Sequence, residues 1–158
     1  MDMNTVIGVV ERNADKLAAR WLERLRKEAG MEDYAREPAP LLLDHVRDAY
    51  QEIGTYLDQP RHQVIAEHFR ATGRRRRERG LPLAEVIRAV QLARTVLWQY
   101  VIEQGIFDST VNLYQALNLY RQIVGFFDQA VLYAVEGYFE TASGEPGRTD
   151  DEGRGGAE

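Results

Sequence analysis

Cysteine is absent from the 158 residues of this chain, and serine occurs only twice, at Ser109 and Ser143. Without cysteine the chain cannot form a disulfide, a cysteine-ligated zinc or iron–sulfur site, a thiol nucleophile or a redox switch. The two serines fall at an expected helix cap and at the edge of a polar tail, which gives a serine nucleophile little support. Glycine-rich phosphate loops of the P-loop or dinucleotide type are also missing. An enzyme is therefore the least expected class, and we predict no catalytic residue.

Histidine is scarce as well, with three residues at His45, His62 and His68. Their spacing does not match that of metal ligands on one helix face, and Glu67 beside His68 does not form the H-E-x-x-H pattern. We therefore predict no metal site and no bound cofactor.

Long hydrophobic runs are missing, since none approaches the roughly 18 residues that would span a bilayer. The amino-terminal sequence MDMNTVIGVVERNADK carries an acidic residue where a signal peptide has a basic segment. The 25 acidic residues outnumber the 20 basic ones, and 44% of residues are apolar, as in ordinary globular proteins. These features predict one domain that stays in the cytoplasm and does not insert into a membrane.

What the sequence does contain is apolar residues at intervals of three and four, the period of an α-helix, and no segment that alternates like a strand. The expected fold is an all-α, single-domain bundle of about five helices, for which a globin-like arrangement is one option. The helices are predicted over residues 4–29, 42–57, 61–79, 82–105 and 109–141. Residues 1–141 form the domain, and the acidic, glycine-rich segment 142–158 is predicted to be a disordered tail because it lacks large apolar side chains.

The last predicted helix is long, rich in aromatic residues and poor in charge. One apolar stripe follows a nearly heptad spacing, and a second lies beside it. The first comprises Leu113, Leu117, Tyr120, Val124, Phe127, Val131 and Tyr138, and the second comprises Leu119, Ile123, Phe126 and Tyr133. Because so much of this helix must be covered, it is either the central helix or also a subunit interface. We expect a homodimer formed through the first and last helices.

Six arginines fall within ten residues: Arg70, Arg74, Arg75, Arg76, Arg77 and Arg79. Four consecutive arginines surround a helix, so some must face the protein itself, and internal pairing or solvation is the favoured interpretation. Contact with an acidic partner protein comes second, and nucleic acid is the least favoured because the chain is net acidic. The candidate partner-binding residues are Arg74, Arg75, Arg77, Tyr114 and Tyr133.

A ligand pocket is the alternative explanation for the aromatic residues, since tyrosine supplies both apolar area and an orienting hydroxyl. A pocket between the third, fourth and fifth predicted helices would bind a small molecule or a haem, with His68, Trp98, Tyr120 and Phe127 as candidate binding residues. Two further arginines, Arg88 and Arg94, have apolar neighbours. We expect them to be partly buried and paired, with Asp128 or Glu136 as candidate partners.

Residues 68–98 read HFRATGRRRRERGLPLAEVIRAVQLARTVLW. This segment resembles the N-terminal domain of RsbRD-type stressosome proteins, the RsbT co-antagonists. The matching positions are Arg76, Gly80, Leu83, Glu85, Val86, Ile87, Arg88 and Arg94, and an early tryptophan, Trp21, and the long aromatic helix also fit.

The resemblance implies a helical, often dimeric regulatory input module of bacterial stress signalling, similar in role to the globin-like but haem-free sensory domains of stressosome proteins. Such modules precede an output domain, which is not recognisable here after the last helix. The expected function is therefore non-enzymatic regulation, through a partner protein bound in trans or as a fragment of a longer protein.

Overall fold

The computed structural model describes residues 3–58, 62–105 and 110–143, and all the regular structure in these ranges is helical. The helices are α1 (Met3–Arg12), α2 (Ala14–Lys27), α3 (Glu32–Ala35), α4 (Ala39–Gln51), α5 (Ile53–Asp58), α6 (His62–Glu78), α7 (Leu83–Glu103) and α8 (Thr110–Ser143). The predicted all-α fold and the long final helix are confirmed. The predicted cap at Ser109 lies outside the described residues, as does the predicted tail beyond Ser143.

The helices outnumber the five predicted because two predicted helices are interrupted. The first breaks at Asn13, whose side-chain amide donates to the carbonyl of Val9 at 2.7 Å, competing with the backbone ladder. The second breaks at Glu52, just before Gly54, which packs closely against Ile7 and Glu11 of α1. The short helix α3 lies between the first two predicted helices, in a polar connector for which no helix was predicted.

Two buried aromatic side chains tie the amino-terminal helices to α7. Trp21 of α2 donates its indole N–H to the carbonyl of Ala89 at 2.9 Å, and Tyr50 of α4 donates its hydroxyl to the carbonyl of Ala93 at 2.7 Å. Each ring adds apolar area to the core while its polar atom is satisfied. The apolar stripe of the first predicted helix is buried in this core and comprises Val6, Val10, Leu17, Trp21 and Leu25.

Helices α6 and α8 run side by side in the same direction, and their backbones nearly touch. A Cβ atom added to Gly73 would lie 2.0 Å from the carbonyl oxygen of Ala134, and one added to Gly137 would lie 2.0 Å from that of Arg70. The Phe69 and Phe126 rings, which precede these glycines along their helices, meet at a centroid distance of 5.8 Å. Small residues are therefore required along this seam.

The buried side of α8 differs from the main stripe predicted for it. The residues buried along the helix are Ala116, Leu119, Ile123, Phe126, Phe127, Ala130 and Ala134. The second predicted stripe thus supplies much of the core, whereas Leu113, Leu117 and Tyr120 of the first stripe are exposed. The sequence pattern misled because the buried face is built partly from alanine and glycine, which admit a close neighbour but carry little hydrophobicity.

None of the helices in the described ranges combines the length and the apolarity needed to cross a bilayer.

Gly137→Ala is expected to lower the free energy of unfolding by about 1–3 kcal/mol, because the new methyl group meets the backbone of α6 and forces the helices apart. Gly125→Ala is the matched control on the same helix, where a Cβ would meet nothing. The control should raise stability by about 0.5–1 kcal/mol, since alanine favours the helix. Urea unfolding of both variants tests this, and equal effects would contradict the close approach.

Phe127→Ala is expected to lower the free energy of unfolding by about 3–5 kcal/mol, because its ring is 3% exposed in the core. Phe139 lies on the same helix and is 53% exposed, so Phe139→Ala should change stability by only about 0.5–1 kcal/mol. Thermal or urea unfolding measures both. Similar losses in the two variants would show that Phe127 is not a core residue.

Candidate functional site

Most of the arginine cluster on α6 is engaged within the domain. Arg70 donates from Nε and Nη2 to one carboxylate oxygen of Glu136, at 3.0 and 2.7 Å, and Arg74 donates to Glu140 at 2.9 Å. Arg79 pairs with Glu37 at the carboxyl-terminal end of the cluster. Internal pairing, the interpretation favoured from the sequence, accounts for these three.

The predicted partner-binding residues are not gathered on one surface. Arg75 lies 3.2 Å from Nδ1 of His45, and Arg77 stacks on the Tyr138 ring at 4.8 Å. Tyr133 is covered by Arg70, whose guanidinium carbon lies 5.1 Å from the ring centre. Tyr114 is 76% exposed. Their role in partner binding stays a prediction.

Tyr114 belongs to an exposed apolar surface on the amino-terminal half of α8, called here the α8 face. Its members are large apolar residues with relative exposures from 41% to 76%: Val111, Leu113, Tyr114, Leu117 and Tyr120. Trp98 of α7 contacts Tyr120 at a ring-centroid distance of 4.7 Å and borders this surface. Contiguous exposed apolar residues of this kind mark interaction surfaces more often than free ones.

The candidate ligand-binding residues fall into two places. His68 and Phe127 line a cavity of about 60 Å³, whereas Trp98 and Tyr120 lie at the α8 face. The cavity is enclosed by residues of α2, α3, α4, α6, α7 and α8, and most of its lining is apolar. Its polar side chains are His45, His68, Thr72 and Arg76, with Tyr34 and Trp21 among the aromatic ones.

Both histidines of the cavity are held in the neutral state. Burial is the main cause that lowers the pKa of His45 to about 4, and the positive charges of Arg76 and Arg75 add to it. Burial likewise lowers the pKa of His68, with a smaller contribution from Arg75. At neutral pH the imidazoles are therefore uncharged, and Arg76 is the cation that lines the cavity.

The residues that matched the family pattern meet where α6 turns into α7. Gly80 adopts a φ of 75°, which glycine reaches without steric penalty, and its N–H donates to the carbonyl of Arg77 at 2.9 Å. The N–H of buried Leu81 donates to the carbonyl of Arg76 at 3.1 Å, which completes a Schellman cap. The turn fixes Arg76 in the last turn of α6, where its side chain is 2% exposed.

Glu85, in the first turn of α7, is the buried acidic residue of the pattern. One of its oxygens accepts hydrogen bonds from the backbone N–H groups of Asp33 and Tyr34, at 3.1 and 3.3 Å. The Glu85 carboxylate thus satisfies two backbone donors at the start of α3. Its negative charge also interacts favourably with the positive end of the α3 helix dipole. Sequence reasoning missed Tyr34, and the apolar Met31 and Tyr34 in a polar connector were the available signal.

The remaining arginines of the pattern are paired, although not wholly as expected. Arg94 reaches Asp128, one of its two predicted partners, at 3.9 Å. Arg88 pairs instead with Glu28 after α2 and is nearly half exposed, so its predicted burial and its predicted partners were wrong. The second predicted partner, Glu136, is bound by Arg70. The error arose because the fold of α2 against α7 was not visible in the sequence.

The fold and these sites define an all-α domain with a cavity that holds a buried cation and with an exposed apolar face. Over the described ranges, no group of three or more acidic or histidine side chains is arranged to hold a metal ion.

Residues 15–152 match the family model described as the RsbT co-antagonist protein rsbRD N-terminal domain, and the chain belongs to this family. The resemblance predicted from residues 68–98 is confirmed. The family is one of regulatory domains in stress-response signalling. No curated protein and no solved structure matches the chain significantly.

Acidification below about pH 6.5 is expected to destabilise the domain. The unfolded chain binds a proton on His45 near pH 6.5, whereas the folded domain resists it until about pH 4, so stability falls as the pH falls through this window. Urea unfolding between about pH 7 and about pH 5.5 measures the slope. His45→Gln should flatten it, and combining this with His68→Gln should flatten it further. An unchanged slope in the double variant would contradict this assignment.

Proposed function

We propose that this domain is a non-enzymatic regulatory module that pairs with a second copy of itself through the α8 face. The observation that carries the proposal is the exposure of five large apolar side chains along one half of a single helix. A monomer that left these side chains in water would forgo the burial of aliphatic and aromatic area that ordinarily drives association.

The spacing of the α8 face favours another helix as its occupant. Leu113, Leu117 and Tyr120 follow the four-and-three interval of helix-to-helix packing, with Tyr114 and Val111 beside them. The occupant we favour is a second α8 because, between Thr110 and Phe127, only Arg121 is charged. Such a face offers no charge pattern for a distinct partner, and two identical copies can cover each other by two-fold symmetry.

The proposed interface involves α8 alone, whereas the sequence suggested an interface through both the first and the last helix. The apolar stripe of the first predicted helix is already buried, with Val6, Leu17 and Leu25 almost inaccessible to solvent. It therefore offers little apolar area to a second subunit, and the contact falls to α8. We further propose that the module binds a regulatory protein in trans. This protein would either bind the dimer or compete with the second subunit for the α8 face.

A haem sensor, weighed as an alternative from the sequence, receives no support from the geometry. A cavity of about 60 Å³ accommodates about four to six water molecules, far less than a porphyrin ring requires. Trp98 and Tyr120, two of the four candidate residues, do not line it.

Leu117→Lys is expected to convert a dimer at micromolar concentration into a monomer, because it places a charge at the centre of the α8 face. Light scattering coupled to size-exclusion chromatography measures the mass, and circular dichroism checks that the helices persist.

Leu132→Lys is the matched control, since Leu132 is also an exposed leucine of α8 but lies beyond the α8 face. This variant should remain dimeric. A wild-type protein that is monomeric at tens of micromolar, or a Leu132→Lys variant that dissociates equally, would refute the proposed interface.

A further inference from the structure

Arg76 carries a positive charge that the domain buries without a carboxylate partner among the described residues. Its side chain is 2% exposed, and its Nε and Nη1 atoms have no hydrogen-bond partner. The guanidinium carbon lies 5.3 Å from the centre of the Tyr34 ring, a cation–π contact that leaves these N–H groups unsatisfied. Among the described residues, no carboxylate forms an ion pair with Arg76. Each of the other arginines in the cluster contacts a named side chain: Arg70 contacts Glu136, Arg74 contacts Glu140, Arg75 contacts His45, Arg77 contacts Tyr138 and Arg79 contacts Glu37.

Burying these N–H groups destabilises the folded state unless another group accepts hydrogen bonds from them. A guanidinium keeps its proton inside proteins, so it cannot escape the desolvation penalty by becoming neutral. An uncompensated buried charge costs several kcal/mol, and each unsatisfied donor adds to that. Glu85 is the buried carboxylate in this region, and one of its oxygens is already taken by the backbone N–H groups of Asp33 and Tyr34.

The unsatisfied nitrogens belong to a side chain that lines the cavity described above. The cavity measures about 60 Å³, and His45 and Thr72, which are only half buried, place part of its rim near solvent. The Thr72 hydroxyl donates to the carbonyl of His68 at 3.0 Å, and its oxygen retains the capacity to accept. With both histidines neutral, one negative charge would balance the cavity.

The apolar part of the cavity lining decides which kind of anion fits. Leu42, Val46, Ala93 and Phe127 present hydrocarbon to the cavity. Phosphate would direct charged oxygens at these walls, and chloride would leave most of their area uncovered. A carboxylate on an apolar stem satisfies both ends, since its oxygens accept from the guanidinium and its carbons replace water against the side chains.

We propose that this cavity is a binding site for a small monocarboxylate of about four to six non-hydrogen atoms, held by charge-assisted hydrogen bonds from the guanidinium of Arg76. Arg76 supplies the charge and the orientation, and the apolar walls select a short aliphatic stem. The site is a sensor input distinct from the α8 face, and it does not depend on the proposed dimerisation.

Thermal unfolding and calorimetry with sodium propionate and sodium butyrate test the proposal, with chloride and phosphate at matched ionic strength as comparison anions. A saturable rise in Tm is expected for the carboxylates and none beyond the ionic-strength effect for the others. The Arg76 Nε–H resonance in ¹H–¹⁵N spectra should shift with the same Kd. Equal stabilisation by chloride or phosphate, or no response to either carboxylate, would overturn the proposal.

Arg76→Met removes the charge while keeping a long side chain of similar reach, and replacing an unpaired buried charge by an apolar group is expected to preserve the fold. Its Kd for butyrate should be at least roughly tenfold weaker, the loss expected for a charge-assisted hydrogen bond. Arg74→Met is the matched control, because Arg74 lies on the same helix and pairs with Glu140 but does not line the cavity. A control that loses the response equally would assign binding to surface arginines and refute the site.

Ala49→Leu keeps Arg76 and fills part of the cavity from its half-buried rim, so it should also abolish the response. This variant keeps the test decisive if Arg76→Met fails to fold. Leu117→Lys, the dimer-interface variant, should retain the carboxylate response, so failure of one proposal is distinguishable from failure of the other. Retention of full affinity in Ala49→Leu would contradict binding inside the cavity.

Discussion

The close contact between the backbones of α6 and α8 is the constraint on which the rest of this domain depends. Gly73 and Gly137 leave no room for a side chain at the points where the helices meet. Arg76 follows Gly73 by three residues, and thus lies on nearly the same face of α6, directed into the protein. Phe127 of α8 lines the same cavity as Arg76, whereas Arg70 and Arg74 reach carboxylates of α8.

The charges of this seam differ in what they contribute. The pairs of Arg70 with Glu136 and of Arg74 with Glu140 are more than one-third exposed, and surface pairs of this kind are worth about 0–1 kcal/mol each. Arg76 is buried and lacks a carboxylate partner among the described residues, so its environment governs whether it stabilises or destabilises the fold. The Schellman cap at Gly80 holds it there, which explains structurally why the two residues occur in one pattern.

Helix α8 joins two regions of different character. The carboxyl-terminal half of α8 packs closely against α6 through small residues, and its amino-terminal half carries the α8 face. Phe127 lies between the two regions and lines the cavity. Tyr120 precedes Phe127 by two helical turns. A ligand in the cavity and a second subunit on the α8 face would therefore both contact α8. Regulation of one by the other requires only that α8 pack in two arrangements for which the ligand has different affinities.

The sequence by itself determined the all-α class, most helix ends and the family. The periodic spacing of apolar residues, the placement of glycines and a local motif carry this information, because each depends only on residues that are close together in the chain. It also indicated that arginines would pair internally. Only the tertiary structure decided which side of α8 is buried, that Arg88 meets Glu28, and that Tyr34 closes a cavity over Arg76. These depend on how closely distant helices approach, and a glycine or alanine that permits such an approach looks hydrophobically weak until its neighbour is known.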